Sequence, residues 1–446
     1  VVKSHSIHVC RDCGATTPRW AGRCPGCGEW NTLDEERTNA RTRAACAPAT
    51  TSLRDLGEST ATVCSTGVGE LDRVLGGGFI AGSTTLLFGE PGVGKSTLAL
   101  MSLRALAEAG EAVLLIAVEE SPAQVAQRAR RLGEVPHGLE VAATTSVGAA
   151  ELLVREHHPT LCVVDSISAM SDDSASGVAG SIAQVRRVAE RLCAVAKATG
   201  TALLLVGHVT KDGELAGPRA LEHLVDTVVR IEGDRHGSLR LVRALKHRFG
   251  PTGEVGLLEM VPDGLRELTD VATLRGPQLN VPGVVSTVTS DGSRSFLVEM
   301  QALVATGSGT PRRVAHQVSS QRLALMLAVL ESRCGVDTSG DDVFAATAGG
   351  LPANEPGVDV ALALAVASAA LHFAVPRSIA AMGEVGLAGE LRAVTGLTRR
   401  VREAQRLGAT VAIVPFEGEL EDVPGVRVMR CRSLAEAIAA AQTDMN

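Results

Sequence analysis

Between about residues 63 and 268, short apolar runs alternate with stretches whose apolar positions recur every three or four residues. The runs at 84–88, 112–118, 161–164, 202–206, 228–231 and 239–244 read as strands. Between two of them, Val185, Val188, Leu192 and Val195 mark one face of a helix. The alternation predicts an α/β fold with a mostly parallel sheet flanked by helices. A break marked by glycine and proline falls at 275–283. A second α/β unit follows, with strands expected at 296–302 and 410–414 and helices at 322–333, 358–371 and 399–407. Ahead of both units, residues 33–60 are polar and aperiodic and read as a linker. The expected divisions are therefore 8–32, 33–60, 61–272 and 280–446, with no internal repeat.

Composition narrows this picture. The 446 residues are 45% hydrophobic but only 2% aromatic, with no Tyr, so the cores must be built from Val, Leu, Ala and Ile. No apolar run approaches the roughly 20 residues that cross a bilayer, and the polar start VVKSH does not resemble a signal peptide. The expectation is a soluble, cytoplasmic protein. A net charge of −7 gives no general attraction to nucleic acid, so any DNA must be held by local basic loops or a ring-shaped channel.

Four of the ten cysteines crowd into the first 27 residues. Cys10-x-x-Cys13 and Cys24-x-x-Cys27 each bring two thiolates within reach of one tetrahedral ion, and Gly14 and Gly28 let the turns close. A unit this small cannot bury enough surface to fold unaided, so the spacing predicts a structural zinc site that closes the coordination shell.

The segment from Gly89 through Glu90, Pro91, Gly92, Val93, Gly94, Lys95 and Ser96 to Thr97 fits the phosphate-binding pattern GxxxxGK[ST], after the strand TTLLF and before a helical stretch. Its backbone N–H groups and helix N-terminus suit phosphate oxygens, Lys95 suits the β- and γ-phosphates, and the Ser96 hydroxyl suits Mg²⁺. The strand LCVVD ends in Asp165, the expected magnesium carboxylate. The strand at 112–118 runs into Glu119-Glu120-Ser121; Glu119 is the candidate to polarise the attacking water, with a helix-start charge cluster as the alternative. Strand 202–206 leads to His208 and Thr210, a candidate γ-phosphate sensor or a plain solvated loop. Lys246 and Arg248 sit at alternating positions, so an extended strand projects both from one side; spacing alone favours a solvated edge.

With these landmarks in place, the chain resembles a bacterial family, the DNA-repair protein RadA, also called Sms. The matching segments are the CxxC/CxxC unit with Trp20 and Trp30, GEPGVGKST, VEES at 118–121, VVDSI at 163–167, VGHVTKDGELAGP at 206–218, KHRFG at 246–250 and GEVGLAGELR at 383–392. The resemblance implies a RecA-like ATPase with an N-terminal zinc ribbon and a C-terminal Lon-protease-like domain. It implies ATP, Mg²⁺ and Zn²⁺ as cofactors, a hexameric ring, and ATP-driven movement on single-stranded and branched DNA in partnership with the RecA recombinase. The family's KNRFG motif falls on Lys246–Gly250 with His247 in place of Asn, which implies that Lys246 and Arg248 act in trans on a neighbour's nucleotide. DNA is then expected at loops facing the channel: 171–184, and 210–222 with Lys211 and Arg219, with Arg186 and Arg187 nearby.

Matching the Lon-like region to its family pattern puts Gly357 at the serine position and Thr398 at the lysine position. Neither can do serine–lysine chemistry. A scaffold without peptidase activity is expected, with Arg312, Arg313, Arg392, Arg399 and Arg400 as outer basic residues facing duplex DNA. Three functions stand side by side: a branch-migration motor, an ATPase that regulates recombinase filaments without moving, and, disfavoured by the missing dyad, an ATP-dependent peptidase.

Overall fold

A computed structural model describes residues 6–37, 62–175, 178–208, 221–233, 237–268, 281–307, 309–348 and 351–443. It divides into two compact units, Val1–Glu267 and Leu268–Asn446. Among the described residues no helix is long and apolar enough to cross a membrane.

The chain opens with three short antiparallel strands, β1 (Ser6–Cys10), β2 (Thr16–Thr17) and β3 (Leu33–Arg37), in the order β2-β1-β3. Residues 33–37 were expected in the linker and are corrected here: they pair along β1, Leu33 opposite Cys10. The polar sequence LDEER hides this strand because backbone pairing, not an apolar face, holds it. A second small pair, β4 (Val63–Cys64) and β5 (Phe79–Ile80), flanks α1 (Gly69–Val74).

The main sheet has nine strands: β6 (Thr84–Gly89), β7 (Val113–Ala117), β8 (Leu139–Ala143), β9 (Leu161–Asp165), β10 (Ala202–His208), β11 (Thr227–Gly233), β12 (Leu239–His247), β13 (Val255–Val261) and β14 (Gly264–Glu267). Their order is β14-β13-β12-β11-β6-β10-β9-β7-β8. Pairings from β11 to β8 are parallel, and β12, β13 and β14 extend the sheet antiparallel. The parallel strands read as unbroken apolar runs, VLLIA and LCVVD, because both faces are covered. On one face α2 (Lys95–Glu108) packs Leu98 and Leu103 against Leu87, Leu115 and Val163. On the other α5 (Ile182–Thr199) packs Val185, Val188 and Leu192 against Leu86, Ile116 and Val164. The helix expected from the spacing of Val185 to Val195 is this one.

This topology fixes where chemistry can gather. The parallel strands β6, β7 and β9 all deliver their C-terminal ends to one edge, so the loop after Gly89, the turn after Ala117 and Asp165 meet there. One strand, β10, separates β6 from β9, the RecA-like layout. β12 runs the other way, and Lys246 lies opposite Val228, which pairs with Leu86.

The second unit builds a seven-stranded sheet from β15 (Val284–Asp291), β16 (Arg294–Thr306), β17 (Arg313–His316), β18 (Asp341–Thr347), β19 (Ile379–Ala381), β22 (Val411–Pro415) and β23 (Arg427–Cys431), with β20 (Glu384–Val385) and β21 (Leu391–Arg392) as a separate hairpin. The order is β17-β18-β16-β15-β19-β22-β23. The helix Asp359–Ala370, sequence DVALALAVASAA, is apolar all round because it lies in the core, buried from Asp359 through Ala369.

Candidate nucleotide and metal sites

The nucleotide loop begins where β6 runs out. Gly89 has no room for a side chain: a Cβ would lie 2.2 Å from the Ile231 carbonyl oxygen. Gly92 and Gly94 take φ of 80° and 109°, so the loop's backbone reverses without steric cost. Gly94 is the N-cap of α2, which carries no side-chain cap, leaving the helix N-terminus to whatever occupies the loop. Lys95 is only 4% exposed, and its Nζ donates to the carbonyls of Gly89 and Glu90, both at 2.9 Å. Burial lowers its pKa, while the charges of Asp165 and Glu119 pull it back up. Ser96 is half-buried and Thr97 buried on the first turn of α2; Glu90 and Pro91 are exposed, and Val93 is buried.

Across the same edge, Asp165 ends β9 and Glu119 follows β7. The Ser166 hydroxyl donates to Glu119 Oε1 and lies 2.8 Å from the Ser168 hydroxyl. The neighbouring Glu120 pairs with Arg128 at 3.1 Å, and Arg128 also lies 3.6 Å from Asp165. The two glutamates do not belong to the first turn of α3 (Pro122–Arg131). Ser121 is its N-cap, closing a capping box with Gln124, and that turn holds no acidic residue. Glu119 and Glu120 thus stand just ahead of the helix, outside its hydrogen-bonded cap. The hydroxyl of Ser96 and the carboxylate of Asp165 are the hard oxygen donors that Mg²⁺ takes, so the edge fits that ion.

One supporting residue escaped the sequence reading. Arg240, buried in β12, donates from Nε to the Val93 carbonyl at 3.0 Å and so braces the phosphate loop from behind. Its only signal was an arginine, one of two, in the mostly apolar run LRLVRAL.

The structure does not bring Lys246 and Arg248 to their own phosphate loop. Lys246 Nζ donates to the carbonyls of Glu222 and Val225, and Arg248, 56% exposed, pairs with Asp226 at 3.1 Å. Asp226 also accepts from the Thr84 N–H at the start of β6. By register these cations sit roughly 10 Å or more along the strands from Gly89, at the opposite edge. Arg248 lies past the end of β12, so the pair does not share one strand face as alternation suggested. His247 Nδ1 is 3.0 Å from the Thr227 hydroxyl, and burial lowers its pKa, so the ring adds no charge near neutral pH.

Of the DNA candidates, Lys211 and Arg219 lie outside the described residues, as does Thr210. Arg186 and Arg187 are about half exposed on α5 but paired with acids: Arg186 with Glu190 at 3.2 Å, Arg187 with Asp172 at 3.6 Å. Asp172 is buried and ties down the start of the 171–184 segment, accepting from Ser174 and pairing with Arg191 at 3.0 Å.

In the cysteine unit, two matching turns close through Gly14 N–H to Cys10 O and Gly28 N–H to Cys24 O, both at 2.9 Å. Gly14 and Gly28 take φ of 70° and 80°. The four sulfurs lie within 4.8 Å of one another, with Cys10 to Cys27 at 3.7 Å and Cys13 to Cys24 at 3.5 Å. A tetrahedron with Zn–S bonds of about 2.3 Å has edges of about 3.8 Å, so the set fits one zinc ion with no position left open. Burial raises the Cys10 thiol, but Thr32 and the Cys13 and Asp12 amides outweigh it and bring it to about 6.

Family models match three stretches: a KaiC-type ATPase over 64–141, a rubredoxin metal binding domain over 8–35, and the C-terminal proteolytic domain of Lon protease over 340–439. DNA repair protein RadA of Mycolicibacterium smegmatis is 43% identical over 98% of this chain and 97% of its own. The RadA proteins of Pseudomonas aeruginosa and Bacillus subtilis are 42% and 38% identical, covering 99% and 98% of this chain and 99% of each relative. The chain belongs to the RadA family. Among solved structures, a RadB recombinase covers 46% of the chain and 99% of its own at 25% identity and a TM-score of 0.37, and a KaiC-like protein from Pyrococcus horikoshii covers 47% and 99% at 19% and 0.40.

In this RadA-family chain the Lon-like domain leaves no room beside Gly357. Gly357 is buried, and a Cβ there would lie 2.7 Å from Arg400 Nη1. Arg400, 2% exposed, fills the space beside Gly357. It makes a two-pronged pair with Glu355 at 2.7 and 2.6 Å and donates to the Val288 and Thr395 carbonyls. Arg400 was expected on the outer basic surface and is corrected: it faces the core beside Leu397, Val401 and Ala404. Thr398 Oγ1 accepts from the Glu421 N–H at 3.1 Å. Arg312, Arg392 and Arg399 are exposed; Arg312 pairs with Asp342, Arg392 with Glu390, and Arg399 and Arg313 donate to backbone carbonyls.

Proposed function

We propose that this chain is a DNA-dependent ATPase of recombinational repair, which binds single-stranded DNA and drives branch migration with the RecA recombinase. In this reading Lys95 and the loop from Gly89 to Thr97 hold the triphosphate, and Ser96 and Asp165 would hold Mg²⁺, which would supply positive charge against the phosphate oxygens. Glu119, kept in place by the Ser166 hydroxyl, orients a water and takes its proton; the water oxygen bonds the γ-phosphorus as the bond to the β-phosphate oxygen breaks. ADP and inorganic phosphate are the products.

The observation that carries the reading is the separation of Lys246 and Arg248 from their own phosphate loop. Two cations at the opposite edge of the sheet serve a transferred phosphoryl group only if another subunit presents its nucleotide to them. That supports a closed ring, for which a hexamer is the proposal. Asp226 then gives the ring a communication route: one oxygen holds Arg248 and the other the first amide of the phosphate-loop strand. DNA contact is assigned to Lys211, Arg219, Arg186 and Arg187, the last two after release from their acids. The domain roles are zinc ribbon for partner docking, ATPase for the motor, and the Lon-like unit as a scaffold without peptidase chemistry.

Strand displacement on a forked substrate, with wild type against Lys95→Ala, tests the motor. Unwinding that requires Lys95 supports it. Turnover stimulated by single strands with no unwinding would replace it with the regulatory ATPase. Light scattering with ATP and single-stranded DNA tests the ring: a monomer under all conditions would remove Lys246 and Arg248 from the mechanism.

A further inference from the structure

The guanidinium of Arg128 lies at the nucleotide edge, and the hydrolysis scheme gives it no task. It is mostly buried, and its Nε has no hydrogen-bond partner among the described residues. Its pair with Glu120 is a good contact at 3.1 Å, but its approach to Asp165 is loose at 3.6 Å, beyond the usual length of a charge-assisted hydrogen bond. A purely structural arginine satisfies its donors and settles into its tightest geometry; this one leaves a donor unused and leans on the carboxylate expected to hold the metal.

We infer that Arg128 is a positioning residue that stands on Asp165 in place of the divalent cation while the nucleotide is away, so that free metal is not captured by Asp165 ahead of the triphosphate. The inference rests on the ATPase reading and deepens it. Three carboxylates gather at this edge, and the other nearby cation, Lys95, is already committed to the Gly89 and Glu90 carbonyls. Without Arg128 the edge attracts any divalent ion, whether or not phosphate comes with it. When the ion arrives with a triphosphate, phosphate oxygens share its charge and Asp165 exchanges partners. The guanidinium keeps its anchor on Glu120, one residue from Glu119, and thereby also holds that second glutamate away from the attacking water.

The test is Mn²⁺ titration of the full-length, zinc-loaded protein without nucleotide, with free Mn²⁺ read by electron paramagnetic resonance. Asp165→Asn should weaken binding and so define the site. Arg128→Met should bind Mn²⁺ about fivefold tighter, the effect of removing one screened cation, and Arg128→Lys should stay within about twofold of wild type. Should the methionine variant not fold, Arg128→Gln removes the same charge and carries the same expectation. Unchanged or weaker binding in the neutral variant overturns the inference, as does binding indifferent to Asp165→Asn. A structural role alone would loosen the site. Binding of a fluorescent ATP analogue to the same proteins, with Lys95→Ala as control, tests the ATPase reading separately.

Discussion

Two buried cations, Lys95 and Arg400, each sit beside a glycine at the approach to a helix, and they are held in opposite ways. Lys95 is kept by two backbone carbonyls and makes no ion pair among the described residues. Arg400 is locked by both oxygens of Glu355 as well as two carbonyls. Neutral acceptors give up an ammonium to phosphate oxygens at little cost, whereas a bidentate carboxylate does not release a guanidinium. The glycines differ in the same sense. Gly94 leaves the helix N-terminus open to an anion, while the space beside Gly357 is already filled. One unit holds its cation by acceptors that can be exchanged; the other has locked its cation into the packing.

The strongest way to break this contrast is Lys95→Ala. It should lower ATP turnover by about 10³-fold or more and abolish nucleotide binding while leaving the fold intact, as measured by phosphate release and circular dichroism. Substantial turnover would mean the ammonium is structural, like Arg400. Next in size, Glu119→Gln should retain nucleotide binding and reduce turnover by about 100-fold. Full turnover would pass its role to another group at the edge.

Arg400→Ala should act on stability alone. Removing the guanidinium leaves the half-buried Glu355 charged and unpaired, costing about 2–4 kcal/mol, while ATP turnover stays unchanged. Thermal unfolding followed beside phosphate release checks both halves. If unfolding is unaffected, the arginine is not the lock described above. Gly357→Ser should confer no peptidase activity and destabilise by about 1–3 kcal/mol, because the new side chain meets Arg400; cleavage of casein would refute the scaffold reading.

How much was legible follows from where each signal lay. The phosphate loop is contiguous, and its strand and helix flank it directly, so sequence suffices. The parallel strands show as apolar runs because both faces are buried. Arg400 was misplaced because TRRVREAQR looks like a solvated basic helix. The signal was there in the phase: 397, 401 and 404 form the apolar face, and 400 lies on it. Arg240 and Arg128 act through contacts between distant segments, on Val93 and on Asp165, which no local spacing encodes. β8, LEVAA, escaped because it is a half-exposed edge strand, and β3 because it is paired through its backbone.

The smallest expected effect comes from His247→Asn, which restores the family's KNRFG. Between the two candidate trans-acting cations, the ring does two things: Nδ1 meets the Thr227 hydroxyl, and the imidazole fills the space against Gly76 and Gly250. An asparagine carbonyl can accept the same hydroxyl, and because burial keeps the imidazole neutral, the exchange changes no charge near pH 7. Turnover stimulated by single-stranded DNA should therefore change by less than about threefold. The lost ring volume should cost about 1 kcal/mol of stability, read as a lower denaturation midpoint. A much larger loss of turnover at unchanged stability would show that this position addresses the neighbour's phosphate itself, as a neutral hydrogen-bonding partner beside Lys246 and Arg248.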